Sequence, residues 1–455
     1  MIEAIAEIQA DFAAILGESH LSADPDVCAA FAIDGLRPKC IVYPPTTEQV
    51  AEVLKFASSS GLAVIPVRNG TKLGIGAPPH RYDVALSLKD MNRVWYYEPD
   101  DLVVSVEPGM KFGDLQHFLG RHNLWVPLDP AGGERASVGG ILAANSAGPL
   151  RLHYGGPRDL VLGMKVATAE GMVIKTGGRV VKNVAGYDLA KILIGSCGTL
   201  GVIVEASLKL HPQVPGRATW IIEPGTLAAA LEFRRALQRS PLNPLRMVLM
   251  NAAARTMLES GIGGGSTPIG PTIWVEAGGS ERVIGRYAEE FRALAHAVKS
   301  PVNRLESDRL GGWERLSDFA LWLTRDQGVS VVLKASLPIA ASEEFLDRAE
   351  REAQGEGWLA IGLAQPGVGV VEVGLTPNPE SRTPNPDCRP GLIGRLRHIA
   401  HDLGGSLAVT RCPAELKPAL DVWGPPGDDF EVMRKLKAAW DPKGTLSPGR
   451  FMGGI

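Results

Sequence analysis

The sequence predicts a two-domain α+β protein, and three observations carry that reading. The chain has 455 residues, enough for two or three domains at the usual ~100–200 residues each. Its texture changes near His211-Pro212, from short β-rich runs broken by glycine-dense loops to alternating strands and longer amphipathic helices. Within the first part a strand, helix, strand and glycine loop follow one another and lead into further short strands, which predicts a mixed sheet and not an all-parallel one.

The elements follow in order. MIEAIAEIQADFAAIL at the start sets Glu and Asp among apolar residues at helical spacing. It lacks a basic leading segment, so it reads as an amphipathic helix and not a signal peptide. Pro44-Pro45-Thr46-Thr47 opens a second helix: Thr46 and Gln49 stand at capping-box spacing, and Val50, Val53, Leu54 and Ala57 form one apolar stripe that Gly61 ends. LAVIPV (62–67) predicts a buried strand running into a glycine loop, and VALSL (84–88), RVWYYE (93–98) and LVVSVEPG (102–109) predict more strands. MKFGDLQHFLGRH (110–122) has helical spacing at Phe112, Leu115, Phe118 and Leu119. Two glycine-rich segments come next, PAGGERASVGGILAANSAGP (130–149) and VVKNVAGYDLAKILIGSCGTLGVIVEASLKL (180–210), the second reading loop, helix, tight turn, strand.

Beyond Pro212, ATWIIE (218–223), TLAAALEFRRALQ (226–238), TIWVEA (272–277), a helix near 281–296, VSVVLKASL (329–337) and EEFLDRAEREA (343–353) predict an α+β second domain. GIGGGSTPIGP (261–271) and TPNPESRTPNPDCRPG (376–391) predict surface loops. AAWDPKGTLSPGRFMGGI (438–455) returns to the proline and glycine texture of the first domain and is expected to pack back on it. The expected division is an N-terminal helix over 1–29, a first domain over 30–213, a second over 214–437 and a returning tail over 438–455.

Composition narrows the function classes. With 47 basic against 50 acidic residues, the chain offers no field for a polyphosphate backbone, which argues against nucleic-acid binding. The 53 glycines and 34 prolines must sit in ordered turns, because hydrophobic content stays at 45%. Cys28, Cys40, Cys197, Cys388 and Cys412 are scattered without a C-x-x-C pair, so the chain carries no zinc site, redox dithiol or iron–sulfur cluster of its own. His398 and His401 stand at i, i+3 on a predicted helix, GLIGRLRHIAHDL (391–403), and read as solvated or half-buried histidines before they read as a metal pair. No metal site is expected. No apolar run reaches the ~18 residues that a bilayer span needs, so a reduced, cytoplasmic setting is expected, peripheral to a membrane only through partners.

The loop VRNGTKLGIG (67–76) follows a strand, where backbone N–H groups can converge on phosphate oxygens. It meets neither G-x-G-x-x-G nor the P-loop pattern, so no nicotinamide site is expected, and alone it also reads as an ordinary strand-exit turn. It is followed by ASVGGILAANSAG (136–148), HYGGPRDLVLG (153–163) and KNVAGYDLAKILIGSCGTLGVI (182–203). Together these resemble the FAD-binding domain of the vanillyl-alcohol oxidase / p-cresol methylhydroxylase (PCMH) superfamily of FAD-linked oxidases, and within it the FAD-binding subunits of glycolate oxidases. The resemblance covers residues 30–213, and WDPKGTLSPGR (440–450) is similar to the family's closing Asp-Pro-x-x-x-x-Asn-Pro-Gly-Arg.

That resemblance implies a two-subdomain PCMH-type FAD-binding domain followed by an α+β, ferredoxin-like cap. It makes Arg68, Asn69, Gly70, Thr71, Lys72 and Leu73 the pyrophosphate loop, and it lays Ser137, Val138, Gly139 and Gly140, with Asn145 and Gly148, along the flavin. Gly198, Thr199, Leu200, Gly201, Val202 and Ile203 would complete the cradle through their backbone, and Lys182, Asn183, Gly186, Tyr187 and Asp188 would close over one side. Tyr187 and Asp188 read equally as packing and capping at a helix start. Members that tether FAD from the first loop use a histidine there, whereas this chain has Asn69 and Thr71, so the resemblance implies noncovalent FAD.

It further implies an FAD-binding subunit of a glycolate (2-hydroxy-acid) oxidoreductase complex, with a second FAD-linked subunit and an iron–sulfur subunit as partners. The alternatives are a self-contained D-lactate-type enzyme or a non-catalytic flavin relay. Catalytic relatives carry a Gly-His-x-Gly-Asp-Gly-Asn segment in the cap, and GWLAIGLAQPGVGVVEVG (357–374) contains no histidine. The catalytic groups are therefore unassigned. His153 is a candidate to face the ring, against loop packing, and Arg411, after SLAVT (406–410), is a candidate cation, against plain exposure. Arg158 and Asp159 read as an internal ion pair.

Overall fold

The computed structural model describes residues 2–179, 187–260, 270–305, 311–379 and 389–455. Lys182, Asn183 and Gly186 lie outside the described residues, as does most of each expected surface loop. The chain divides into two units: residues 1–146, 156–212 and 414–455 form the first, and 147–155 with 213–413 form the second.

In the first unit, local signals account for the first layer. Thr46 caps the helix Thr47–Ser59, its hydroxyl accepting from the Gln49 N–H at 3.2 Å, a contact whose loss costs about 1 kcal/mol. Val50, Val53, Leu54 and Ala57 on that helix are fully buried. They cover a sheet in the order Leu21–Ser22, Cys40–Val42, Val84–Ser87, Val64–Val67. The last three strands run parallel and the first antiparallel, a mixed sheet. A second sheet is wholly antiparallel, ordered Val94–Glu98, Val103–Val106, Val202–Lys209, Val161–Ala167, Val173–Gly177. Side chains alternate along a strand, so Val202 and Val204 face the first sheet's core while Ile203 joins Phe112, Leu115 and Ile141 on the far side. One strand thereby fastens both subdomains.

In the second unit an eight-stranded antiparallel sheet runs in the order Val302–Leu305, Arg217–Ile222, Thr272–Gly278, Arg246–Met250, Trp358–Gln365, Val370–Pro377, Val331–Ser336, Ser406–Arg411. The helices Leu227–Arg239, Glu281–Ala297, Ser342–Gly355 and Arg389–Asp402 form a layer on it, and the first three bury Phe233, Phe291 and Phe345 completely. Trp313, Phe319 and Leu323 of the shorter helices Gly312–Ser317 and Phe319–Asp326 cluster with Trp274, Val332 and Ile361 of the strands.

The seam at Pro212/Gln213 falls where the texture changes. Two stretches fall otherwise than the sequence division had them. Residues 414–437 belong to the first unit and 147–155 to the second. The physical reasons are specific contacts. Lys417 reaches the carbonyls of Gly74 and Gly76, and Leu152 fills the space that a Cβ on Gly367 would occupy.

Candidate functional site

Two adjoining cavities lie in the first unit, where the strand Val64–Val67 ends. They share Pro66, Val67, Arg68, Ser137, Gly140, Ala143 and Cys197 as walls. One is mainly apolar, with Leu88, Pro108, Leu193, Val202 and Ile203. The other is ringed by Arg68, Asn69, Gly70, Thr71, Lys72, Leu73 and Arg450. An elongated cleft that is greasy at one end and cationic at the other fits a dinucleotide with a flat ring.

The loop is held open by its neighbours. Arg68 Nε donates to the Gly109 carbonyl at 3.2 Å, the Asn69 amide donates to the Arg135 carbonyl, and Lys72 Nζ donates to the Ala131 carbonyl. Gly70 takes φ +70° and Gly76 φ +89°, and a Cβ on Gly76 would sit 2.4 Å from the Arg450 carbonyl oxygen. Only glycine allows that approach. Ser137 caps the helix Val138–Ala143, accepting from the Gly140 N–H at 3.2 Å.

Of the residues expected along the cofactor, Ser137, Gly139, Gly140, Gly198, Gly201, Val202 and Ile203 line these cavities with the loop residues 68–73. Val138 does not, because its side chain belongs to the core. Asn145, at φ +46°, lines neither cavity, and Gly148 lies in the 147–155 stretch of the second unit. Leu200 packs in the core, and the Thr199 carbonyl accepts from Lys437 Nζ at 2.8 Å. Tyr187 is 93% exposed, and Asp188 pairs with Lys191 at 3.4 Å.

The remaining candidates divide. Asp159 accepts from the Gly156 N–H at 2.8 Å and Arg158 donates to the Ile194 carbonyl at 3.3 Å, which replaces the expected internal ion pair. The short helix start outbids the neighbouring guanidinium for the carboxylate. His153 is exposed, its ring edge-on to Tyr154 at 4.5 Å. Arg411 ends the strand Ser406–Arg411 half-buried, not exposed; burial pulls its pKa down while Asp318 and Glu372 push it up. His398 is solvated, 3.8 Å from Asp402. Among the described residues no His, Cys, Asp and Glu group is arranged to hold a metal, and no helix is long and apolar enough to cross a membrane.

Sequence reasoning missed Cys197, Arg450 and Lys417. Cys197 has φ +54°, and Lys417 and Arg450 are buried with Asp34 beneath the loop. The -Pro-Gly-Arg ending of the tail was the available signal for Arg450; nothing local marks the other two.

The FAD binding domain family matches residues 38–177, and the C-terminal domain of FAD linked oxidases matches residues 425–451. The chain thus carries the FAD-binding domain and the C-terminal domain of FAD-linked oxidases. This flavoprotein is 25% identical to the glycolate oxidase subunit GlcD of Bacillus subtilis, over 91% of this chain and 89% of that one. It is 28% identical to D-lactate dehydrogenase of Archaeoglobus fulgidus, over 90% of this chain and 91% of that one. In fold it matches the crystal structure of p-cresol methylhydroxylase with substrate bound, at a TM-score of 0.76 and 19% identity over 98% of this chain and 96% of that one.

Cys197 gives this flavoenzyme an internal reporter. Burial pushes its thiol up to about 11, with the Arg450 charge pulling the other way. Thiolate is the alkylating form, so labelling by iodoacetamide is expected to be slow at neutral pH and to accelerate as pH rises toward that value. Added FAD is expected to slow it at every pH. Peptide mapping by mass spectrometry reads both effects, and labelling indifferent to FAD would show that FAD does not bind in the cleft that Cys197 lines.

Proposed function

We propose that this chain is the FAD-bearing subunit of a 2-hydroxy-acid oxidoreductase, with glycolate or D-lactate as the substrate class and an iron–sulfur protein as the electron acceptor. The observation that carries the reading is the two-ended cleft in a chain similar, over nine-tenths of its length, to proteins named for glycolate and D-lactate. The loop Arg68–Leu73 holds the diphosphate noncovalently, no histidine standing there to tether the ring. Gly140 and Gly198 leave room for the ring beside the apolar walls, which exclude water from it.

Oxidising a 2-hydroxy acid to a 2-oxo acid removes a proton from the hydroxyl and a hydride from the α-carbon, and bound FAD supplies the hydride acceptor. The proton needs a base and the carboxylate a cation. The strands Trp358–Gln365 and Val370–Pro377, central in their sheet, carry no histidine. His153 is then the candidate base and Arg411 the candidate cation. Arg411→Leu is expected to raise the substrate concentration needed for half-maximal anaerobic bleaching by roughly 100-fold, the scale of a lost charged hydrogen bond. Unchanged bleaching would remove Arg411 from the site.

In this reading electrons leave through another chain, since the five cysteines are scattered in the sequence without the spacing of an iron–sulfur relay. The test is anaerobic titration with glycolate and with D-lactate, for the chain alone and after co-expression with its genomic neighbours. Slow bleaching alone and fast bleaching with copurifying flavoprotein and cluster protein is the expected result. The similarity to D-lactate dehydrogenases favours a second reading, a self-contained enzyme. Stoichiometric bleaching of the lone chain with rapid reoxidation would establish that one instead.

A further inference from the structure

Beneath the first glycine loop lies a buried group of three charges. Lys417 Nζ stands 2.8 Å from Asp34 Oδ2, and an Arg450 guanidinium nitrogen stands 3.4 Å from the same oxygen. The three side chains are only 2%, 9% and 6% exposed for Lys417, Asp34 and Arg450. Two cations thus share one carboxylate, and the group carries a net charge of +1. Burying uncompensated charge is costly, so something must answer it.

Part of the answer is the loop itself. Arg450 donates to the carbonyls of Leu73 and Ile75, each at 2.6 Å, and of Ala77 at 3.0 Å. Lys417 donates to Gly74 at 2.9 Å and Gly76 at 3.0 Å. Five successive carbonyls therefore point at the two cations. Each peptide is planar and trans, so the N–H groups of Gly74 and Gly76 point the opposite way. The 73–74 and 75–76 peptides are therefore dipoles with their negative ends on the buried cations and their positive ends turned away from them.

We infer that the Asp34–Lys417–Arg450 group is the electrostatic counterpart of the cofactor's diphosphate: its unbalanced positive charge, relayed through the loop dipoles, is answered when FAD binds. Arg450 lines the cationic cavity itself; Lys417 and Asp34 act through it and the loop, as positioning residues. The inference rests on the assignment of residues 68–73 to the diphosphate.

The experiment varies the net charge in both directions. Lys417→Met takes the group to zero, and Asp34→Asn takes it to +2 in a side chain of the same shape; Asn tolerates the φ +49° found at Asp34. Both variants disturb the buried bonds, so both are expected to lower the melting temperature of the apoprotein. FAD affinity, measured by flavin fluorescence, is expected to move in opposite directions: about tenfold weaker for Lys417→Met, the factor that ~1.4 kcal/mol of lost attraction makes, and stronger for Asp34→Asn. Affinity for riboflavin, which has no phosphate, should not follow that order. A scaffold without the electrostatic role would weaken FAD binding in both variants, and that result overturns the inference. Arg68→Leu, titrated alongside, separates the two levels: if it weakens FAD binding while the charge variants fail to diverge, the inference falls and the loop assignment stands. If it leaves FAD binding untouched, the loop assignment falls.

Discussion

Gly140→Val is expected to abolish measurable FAD binding while leaving the apoprotein folded. Gly140 lines both cavities, and a Cβ built on it meets only the Ser137 hydroxyl, at 3.1 Å. The rest of a valine side chain would stand in the space that the cofactor needs. Gly139→Val makes the contrast. There the new Cβ meets the Pro108 Cβ at 2.7 Å and the Pro108 carbonyl oxygen at 3.1 Å, so the variant overpacks the fold itself, at about 1–3 kcal/mol. It should lose both FAD and stability. Flavin fluorescence and thermal melts of the apoproteins separate the two cases, and FAD retained at normal affinity by Gly140→Val would take this segment out of the cofactor site.

Those two glycines also mark what a sequence conveys. Their place in a cleft-lining segment was legible, because the motifs stand in one order along the chain. Which of them would drive a side chain into Pro108 was not, since that depends on a residue thirty positions away. Local rules served well wherever spacing alone decides. The Thr46 cap, the Val50, Val53, Leu54 and Ala57 stripe, and the strand Val64–Val67 all follow from neighbours within a few residues. They failed where a competing partner lies close by but off the obvious pair, as when Asp159 takes the Gly156 N–H in place of Arg158. They were silent on Lys417, whose carboxylate partner Asp34 is 383 residues away. Lysine is almost never fully buried unless paired, so nothing in its own neighbourhood announces that it is.

The largest stability effect is expected at Asp441. Its carboxylate is completely buried and accepts from the Thr445 N–H at 2.9 Å, the Leu446 N–H at 2.7 Å and Lys437 Nζ at 2.6 Å. Those bonds shape the turn that brings the tail onto the edge of the strand Val64–Val67, where the Val64 N–H donates to Thr445 at 2.8 Å and the Ser447 N–H donates to Val64 at 2.9 Å. Asp441→Ala leaves two buried N–H groups without their acceptor and Lys437 without its counter-charge. Breaking one side of a buried pair costs ~3–5 kcal/mol, a fall in melting temperature of roughly 10 °C for a unit of this size. Lys437 also holds the Thr199 carbonyl, next to the cavity-lining Gly198, so FAD affinity should drop with stability. Lys437→Met combined with Asp441→Asn removes both charges and keeps one acceptor oxygen, and it should recover part of the loss, because an unpaired buried charge is costlier than none. A melting temperature for Asp441→Ala within a degree or two of the parent protein would show that the tail is held by its apolar contacts, Leu446 above all, and not by this turn.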